Sequence, residues 1–529
     1  MSQFLEKKWW NAPEGDAHHE LFAYVRSIKE QQSGVFESMR YWASLYHGYE
    51  VMGLTPGTFK SLDPLFGTVS GSDPALTYNV IRSCVDTVVA QMSISRVRPM
   101  FLTSGGDWAM RRQAKQLGKY VEGIYHAEDY YGKETDVRRN GALYGTGHMY
   151  FYEDSKDVRM ESVHPIEVIV DEQSAIDGKT KMIQREKFIP KDALVGMYPD
   201  KEEQIENERP LHVDGGVTIT DLVCVVEAWR QPSGKEGDKG RHLICVEGAT
   251  LLDEEWNKDF LPFVKYVWTK KVRGYYGEGL ACEQHGKQRA LNNLLARVQK
   301  SLEVNSWAWL MKHKNSKIQN NKITNDLLAI IDYEGTQPPD VRINQVIPPE
   351  VFQHIQQIKK DAYEEEGISQ MSATSQRPPG FPEYGVAIRM MRNIESARFA
   401  DKQAAIERFN VECADLLVKM GKEVYPSSKT VLFPSKDSAV AIKWSDVDLP
   451  RDKFFLKAMP INALPDDPAG KTAMVENWVN LGMIPPDKAF SLMGFPDTER
   501  YQSVEDAIKE DIENSIEAIL ADGIYIAPE

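Results

Sequence analysis

Residues 280–302 read L-A-C-E-Q-H-G-K-Q-R-A-L-N-N-L-L-A-R-V-Q-K-S-L, and residues 346–369 read V-I-P-P-E-V-F-Q-H-I-Q-Q-I-K-K-D-A-Y-E-E-E-G-I-S. In the first stretch Leu291, Leu294, Leu295, Val298 and Leu302 keep helical spacing, which Trp309 beyond it continues, and this predicts a helix running to Lys312. In the second, Val351, Phe352, Ile355, Ile358 and Ala362 do the same after Pro348 and Pro349, residues suited to a helix start. Roughly 36 residues of polar and β-like sequence separate the two runs. A breaker segment, G-I-S-Q-M-S-A-T-S-Q-R-P-P-G-F-P-E-Y-G at 367–385, follows, and then a third helical run of about 35 residues. Helix, small β insert, helix, Pro/Gly loop, long helix is an uncommon order.

Upstream, residues 17–48 carry aromatics at helical spacing and predict a broken amphipathic helix. Asp73-Pro74 offers an N-cap and an N1 proline for a helix whose apolar face is Val80, Ile81, Cys84, Val85, Val88 and Met92. A short strand at Arg96–Leu102 and helical patterns over Asp107–His126 and Tyr131–Leu143 follow. Past Gly145 the period changes from helical to alternating. His148–Glu153, Val158–Val163, Glu167–Asp171, Lys181–Phe188, Val217–Arg230 and His242–Leu252 read as strands, antiparallel because helical crossovers are mostly missing. Downstream, Val431–Phe433, Ala439–Trp444 and Lys453–Met459 read as strands. Residues 464–529 turn helical, with Val504, Ile508, Ile512, Ile516 and Leu520 at i+4 spacing.

The chain of 529 residues, 42% hydrophobic, is long enough for more than one domain and for real cores. It has no apolar run of membrane-spanning length, and its charged N-terminus does not resemble a secretion signal. A soluble, intracellular protein is expected. The five cysteines sit singly in apolar patterns, which predicts buried free thiols. A net charge of −15 argues against tight nucleic-acid binding by the whole surface. Residues 281–425 hold 19 basic and 18 acidic side chains, and residues 426–529 hold 10 and 18, so the central stretch is near neutral within an acidic chain.

Motifs for catalysis are weak. The G-K-T triplets at Gly178–Thr180 and Gly470–Thr472 lack the glycine five positions earlier that a phosphate loop needs, since those positions are Gln173 and Pro465. Gly145-Thr146-Gly147 lies at a helix-to-strand junction and reads as a turn, not a dinucleotide site. The histidines show no metal-binding spacing, His18-His19 reads as solvated surface, and the run Glu364–Glu366 reads as a solvated helix face. No cofactor is expected. An enzyme with its nucleophile on scattered residues is compatible with the sequence, but nothing points to one. One segment stands out: K-H-K-N-S-K-I-Q-N-N-K at 312–322, where Lys312, Lys314, Lys317 and Lys322 give a local balance of +4. It reads as a solvated loop or as a contact for phosphates or an acidic partner.

The element order, together with L-P-F-V-K-Y-V-W (261–268), A-C-E-Q-H-G-K-Q-R-A-L-N-N-L-L (281–295), the 346–369 stretch above and Y-G-V-A-I-R-M-M-R-N-I-E-S-A-R (384–398), resembles the portal proteins of tailed bacteriophages. The resemblance spans roughly residues 75–500. It implies an α+β subunit with a β-rich wing, two-helix stem, small α/β clip, long tunnel helix and short helical crown. Carried over, the wing is 1–278, the first stem helix 279–312, the clip 313–349 and the second stem helix 350–367. The tunnel loop is then 368–385, the long helix 386–425, the returning wing strands 426–463 and the crown 464–529. The resemblance further implies a non-enzymatic ring, usually of twelve subunits, at one capsid vertex of the virion, assembled in the host cytoplasm. Its implied partners are other copies of itself, the terminase large subunit, head-tail adaptor or tail proteins, the major capsid and scaffolding proteins, and the double-stranded DNA in its channel. The tunnel loop residues Gln370, Ser372, Thr374, Gln376, Arg377 and Pro378 are expected to face DNA. The clip residues Lys312, Lys314, Lys317 and Lys322 are expected to dock the motor or adaptor. Twelve copies would carry about −180, which suits a conduit whose walls must not clamp sliding phosphates. The rival readings are an ATP-driven packaging enzyme, disfavoured by the broken G-K-T contexts, and a minor head-tail adaptor, usually shorter and without the helix, insert, helix order.

Overall fold

A computed structural model of the chain describes residues 8–13, 15–48, 78–94, 97–103, 108–208, 221–305, 309–311, 340–342, 348–368, 399–434, 439–447, 454–460 and 475–481. The fold is mixed α and β. The aromatic-rich start forms two helices, α1 (Ala17–Gln31) and α2 (Ser33–His47), broken at Gln32 and closed by Gly48 in the left-handed region at φ 79°. Helix α3 (Val80–Ile94) is capped by Asn79, whose Oδ1 accepts from Arg82 N at 2.8 Å. Asp73 and Pro74 lie outside the described residues, and the described helix starts six residues beyond that pair because Asn79 supplies the cap. Strand β1 (Val97–Thr103), helix α4 (Trp108–Ala127) and helix α5 (Tyr130–Tyr144) follow as expected.

The β-rich region contains two antiparallel sheets. Strands β2 (Thr146–Asp154) and β3 (Asp157–Val163) form a hairpin whose two turn residues, Ser155 and Lys156, both have positive φ, the geometry that matches strand twist. Next come β4 (Val168–Ile169), β5 (Met182–Pro190), helices α6 (Lys191–Met197) and α7 (Glu202–Glu206), β6 (Leu222–Arg230), β7 (Arg241–Val246), β8 (Ala249–Glu254) and β9 (Phe263–Val267). The three-stranded sheet has the order β3-β2-β9 and the five-stranded sheet β4-β5-β6-β7-β8. The single run expected over His242–Leu252 is therefore two strands, turning at Glu247-Gly248. Helices α6 and α7 and strand β9 add elements that alternation did not reveal. α1 lays Ala17, Leu21, Val25 and Ile28 on Ile169, Val226, Ala228 and Leu243 of the larger sheet. His18, expected on the surface, is buried on that face, beside Thr250.

Helix α8 (Leu280–Asn305) opens the central stretch, and strand β10 (Trp309–Met311) pairs antiparallel with β11 (Asp340–Arg342). The helix thus ends at Asn305 rather than Lys312, because Trp309, Leu310 and Met311 take backbone partners from a segment some 30 residues away. Helix α9 (Pro349–Glu366) returns, and α10 (Ala400–Val424) is the described part of the third run, whose beginning at 386–398 lies outside the described residues. Strands β12 (Thr430–Pro434) and β13 (Ala439–Lys443) form a hairpin. Strand β14 (Phe454–Pro460) pairs with β1 across more than 350 residues of sequence. Residues 475–480 are helical and end in a turn at Leu481, and the rest of 464–529 lies outside the described residues.

One large core joins α2–α5, both faces of β2, and α8–α10. Close backbone approach requires glycine at its centre: Gly145 has φ 96°, and a Cβ there would lie 2.4 Å from the Gly277 carbonyl group. All five thiols are free, with Cys84, Cys245 and Cys413 buried and Cys224 and Cys282 half-buried. Inside the core Arg138 Nη2 donates to Glu134 Oε1 at 2.7 Å, and Asn410 Nδ2 donates to the same oxygen at 2.8 Å. Tyr130 OH donates to Asn410 Oδ1 at 2.8 Å, so α5 and α10 share one buried polar network. Removing one partner of a buried pair leaves an uncompensated charge. Arg138→Met should therefore lower stability by about 3–5 kcal/mol in urea unfolding, and a loss under 1 kcal/mol would show that Glu134 is not held by this pair.

Candidate functional site

The site of interest is the two-helix arm formed by α8 and α9, with the β10–β11 ribbon between them. α8 has 26 residues, a length of about 39 Å at 1.5 Å per residue. α9 has 18, about 27 Å. The arm is fastened at its root by polar side chains that the helical pattern places on the inner face of α8: Gln284, Gln288 and Asn292, one turn apart and all buried. Gln288 Oε1 accepts from Val80 N at 2.8 Å, satisfying an orphan donor at the start of α3, while its Nε2 donates to Tyr78 O at 2.7 Å and Asn292 Oδ1 at 2.9 Å. Tyr363 OH of α9 donates to Ser83 Oγ at 3.2 Å, and Lys359 sits 3.7 Å over the Tyr78 ring.

The first two residues of the breaker expected after α9, Gly367 and Ile368, form a defined cap, and 369–385 lie outside the described residues. Gly367 has φ 72°, its N donates to Glu364 O at 3.1 Å, and Ile368 N donates to Tyr363 O at 3.0 Å with Ile368 buried. This double bond pattern with a left-handed glycine ends the helix and anchors it by the following apolar residue.

Electrostatics concentrate at the same root. Gln284 Nε2 donates to Glu366 Oε1 at 2.7 Å and Glu365 Oε2 at 3.1 Å, and Lys287 pairs with Glu365. Glu366, expected on a solvated face, is instead buried against α8. Burial pushes its carboxyl up to about 7, outweighing the Gln284 hydrogen bond that favours ionisation, with Glu283 adding to the rise. A sequence run of three glutamates could not show this, because burial comes from the α8 partner and not from local pattern.

Farther from the root the packing thins. Val298 and Ile355 are buried and Leu294, Leu295, Val351 and Ile358 are half-buried, but Leu302 is 55% exposed and Phe352 46%. The predicted docking residues Lys312, Lys314, Lys317 and Lys322 and the predicted DNA-facing residues Gln370, Ser372, Thr374, Gln376, Arg377 and Pro378 lie outside the described residues. Gly178-Lys179-Thr180 leads into strand β5, not into a helix, so it lacks the helix N-terminus of a phosphate loop. Among the described residues no cluster of three or more His, Cys, Asp or Glu side chains could hold a metal, and no helix is long and apolar enough to cross a membrane.

A carboxyl whose folded pKa is raised binds its proton more tightly when folded, so its stabilising effect is full below the unfolded value near 4.5 and is lost as pH rises through about 7. Glu366→Gln should remove that decline: the variant should match wild type at pH 4.5 and exceed it at pH 8 in urea unfolding. Parallel pH profiles would contradict the burial of this carboxyl. No protein-family model matches the chain, and no curated protein sequence matches it.

Proposed function

We propose that the chain is a portal subunit: a ring-forming, non-enzymatic protein at a capsid vertex that conducts DNA during packaging and ejection and docks the packaging motor and tail proteins. The observation that carries the reading is the arm. A helix, a small β ribbon and a returning helix agree in order with the stem, clip and stem that the sequence resemblance implies, and the arm is rigidly rooted while its outer half keeps apolar side chains uncovered. A helical hairpin with Leu302 and Phe352 in water gains by burying them on a neighbour. Repetition of one heterologous contact around an axis closes a ring.

The charge pattern supports the same reading. The segment 281–425 is balanced while the chain as a whole is at −15. A wall of this kind repels or ignores phosphates and leaves DNA free to slide. In this reading the segment 368–385 reaches the channel and Arg377 touches the DNA backbone weakly, whereas Lys312, Lys314, Lys317 and Lys322 meet the motor before filling and an adaptor afterwards.

Four measurements test the proposal. Leu302→Asp combined with Phe352→Asp should leave a folded chain, judged by circular dichroism, that no longer assembles in sedimentation velocity; unchanged assembly would remove the arm from the subunit interface. Arg377→Ala with Gln376→Ala should slow packaging or reduce DNA retention, and wild-type values for both would end the role of that loop. Lys314→Glu with Lys317→Glu should weaken motor or adaptor binding without dissolving the ring, and unaltered binding would count against a docking role. Hydrolysis of ATP by the pure protein would favour a packaging enzyme instead.

A further inference from the structure

A cavity of about 870 Å³ opens between the Asp177–Thr180 turn, strand β9 with the Trp268–Tyr276 loop that follows it, and the first turns of α10. Its walls carry six cations, Lys179, Lys265, Lys270, Lys271, Lys402 and Arg408, against three carboxylates, Asp177, Asp401 and Glu412. A surplus of three positive charges in one cavity is notable in a chain whose net charge is −15.

The inner cations are held by neutral groups. Lys265 Nζ donates to Gly178 O at 2.5 Å and Tyr275 O at 3.3 Å and lies 4.0 Å over the Tyr275 ring. Lys402 Nζ donates to Trp268 O and Thr269 Oγ1, both at 2.7 Å, and lies 5.3 Å from the Trp268 ring centre. Each ammonium thus spends two of its three donors on uncharged oxygens and keeps one. Neither forms an ion pair within 4 Å among the described residues, and the same holds for Lys179, Lys270, Lys271 and Arg408. Burial, reinforced by Lys270, lowers the Lys265 ammonium to about 8, and burial raises the Glu412 carboxyl. The Lys270 contribution at Lys265 reflects the local excess of cations, whereas the Glu412 rise is an effect of burial that Arg408, Lys265 and Lys179 oppose.

The walls of the cavity are braced by backbone hydrogen bonds. Thr269 and Glu278 exchange backbone hydrogen bonds of 3.2 and 2.9 Å across the base of the loop, and Gly274 N donates to Ile176 O at 3.1 Å. Gly178 and Gly274 face each other in the left-handed region, at φ 75° and 110°, so the two turns approach closely.

We propose that this cavity binds a small anion bearing several phosphate groups. Its volume falls in the range of small-molecule sites, roughly 300–1,000 Å³, and its inner lysines, Lys265 and Lys402, are half-buried on its walls, within reach of a small ion. Lys265 and Lys402 already lie over the rings of Tyr275 and Trp268, the surplus of cations makes charge the main means of recognition, and lysine ammoniums bind phosphate as point charges. The Gly178-Lys179-Thr180 triplet sits at the rim, where Lys179 contributes as a side-chain cation.

Isothermal titration of the purified full chain with inorganic triphosphate at low salt and neutral pH tests this. Saturable binding of one ion per chain is expected, with affinity falling roughly tenfold or more in Lys270→Ala/Lys271→Ala. Arg408→Gln should weaken binding in the same direction, and serves if the double variant fails to fold. Lys115→Ala/Lys119→Ala, on α4 away from the cavity, should bind as wild type. Absence of saturable binding, equal affinity in the cavity variants, or a short DNA duplex that competes with triphosphate through the same lysines would overturn the proposal.

Discussion

The backbone at Tyr78-Asn79-Val80 is the joint on which the rest of the molecule depends. Asn79 caps α3 and donates from Nδ2 to Leu45 O at 2.8 Å and Tyr46 O at 2.7 Å, which ties the end of α2 to the start of α3. Gln288 of α8 takes the Val80 N–H and returns a bond to Tyr78 O, and Tyr363 of α9 lies beside Tyr78 and Ser83. Four helices therefore meet at one helix N-terminus. Buried backbone donors must be satisfied, and here the satisfying groups come from the arm, so the arm cannot swing without leaving them unpaired.

That constraint explains the division of labour in the central stretch. Near the joint the inner face of α8 is polar and specific, with Gln284, Gln288 and Asn292, while farther out it is apolar and only partly covered. Polar contacts fix direction, and apolar surface supplies adhesion to whatever lies alongside. A monomer built this way holds a stiff hairpin with unused apolar area, which is the physical basis for reading it as one segment of a ring. The body behind it is closed by the β1–β14 pairing, which returns the chain after α10 to the strand that follows α3.

Much of the architecture was legible in local pattern. The i+3/i+4 spacing located α1–α5, α8, α9 and α10, and alternation located most strands, because these elements bury one face against a core and periodicity records that burial. What pattern could not show was pairing between distant segments. Trp309 continues a helical apolar register yet belongs to β10, because Asp340–Arg342 offers backbone partners. Glu366 sits in an acidic run yet is buried, because α8 covers it. The cationic cavity was invisible for the same reason: Lys179, Lys265 and Lys402 are separated by scores of residues and converge only in the fold. The docking role proposed for the lysines of 312–322 and the DNA contact proposed for Arg377 come from the sequence, since both segments lie outside the described residues.

The central claim is that copies of this chain close into a ring around a channel. Sedimentation velocity with negative-stain imaging of the purified protein measures it directly. With a chain mass of 60.1 kDa, the account predicts a species near twelve copies, about 720 kDa, that images as rings with a central hole. A monodisperse monomer or dimer at micromolar concentration, with no annular particles, would contradict it.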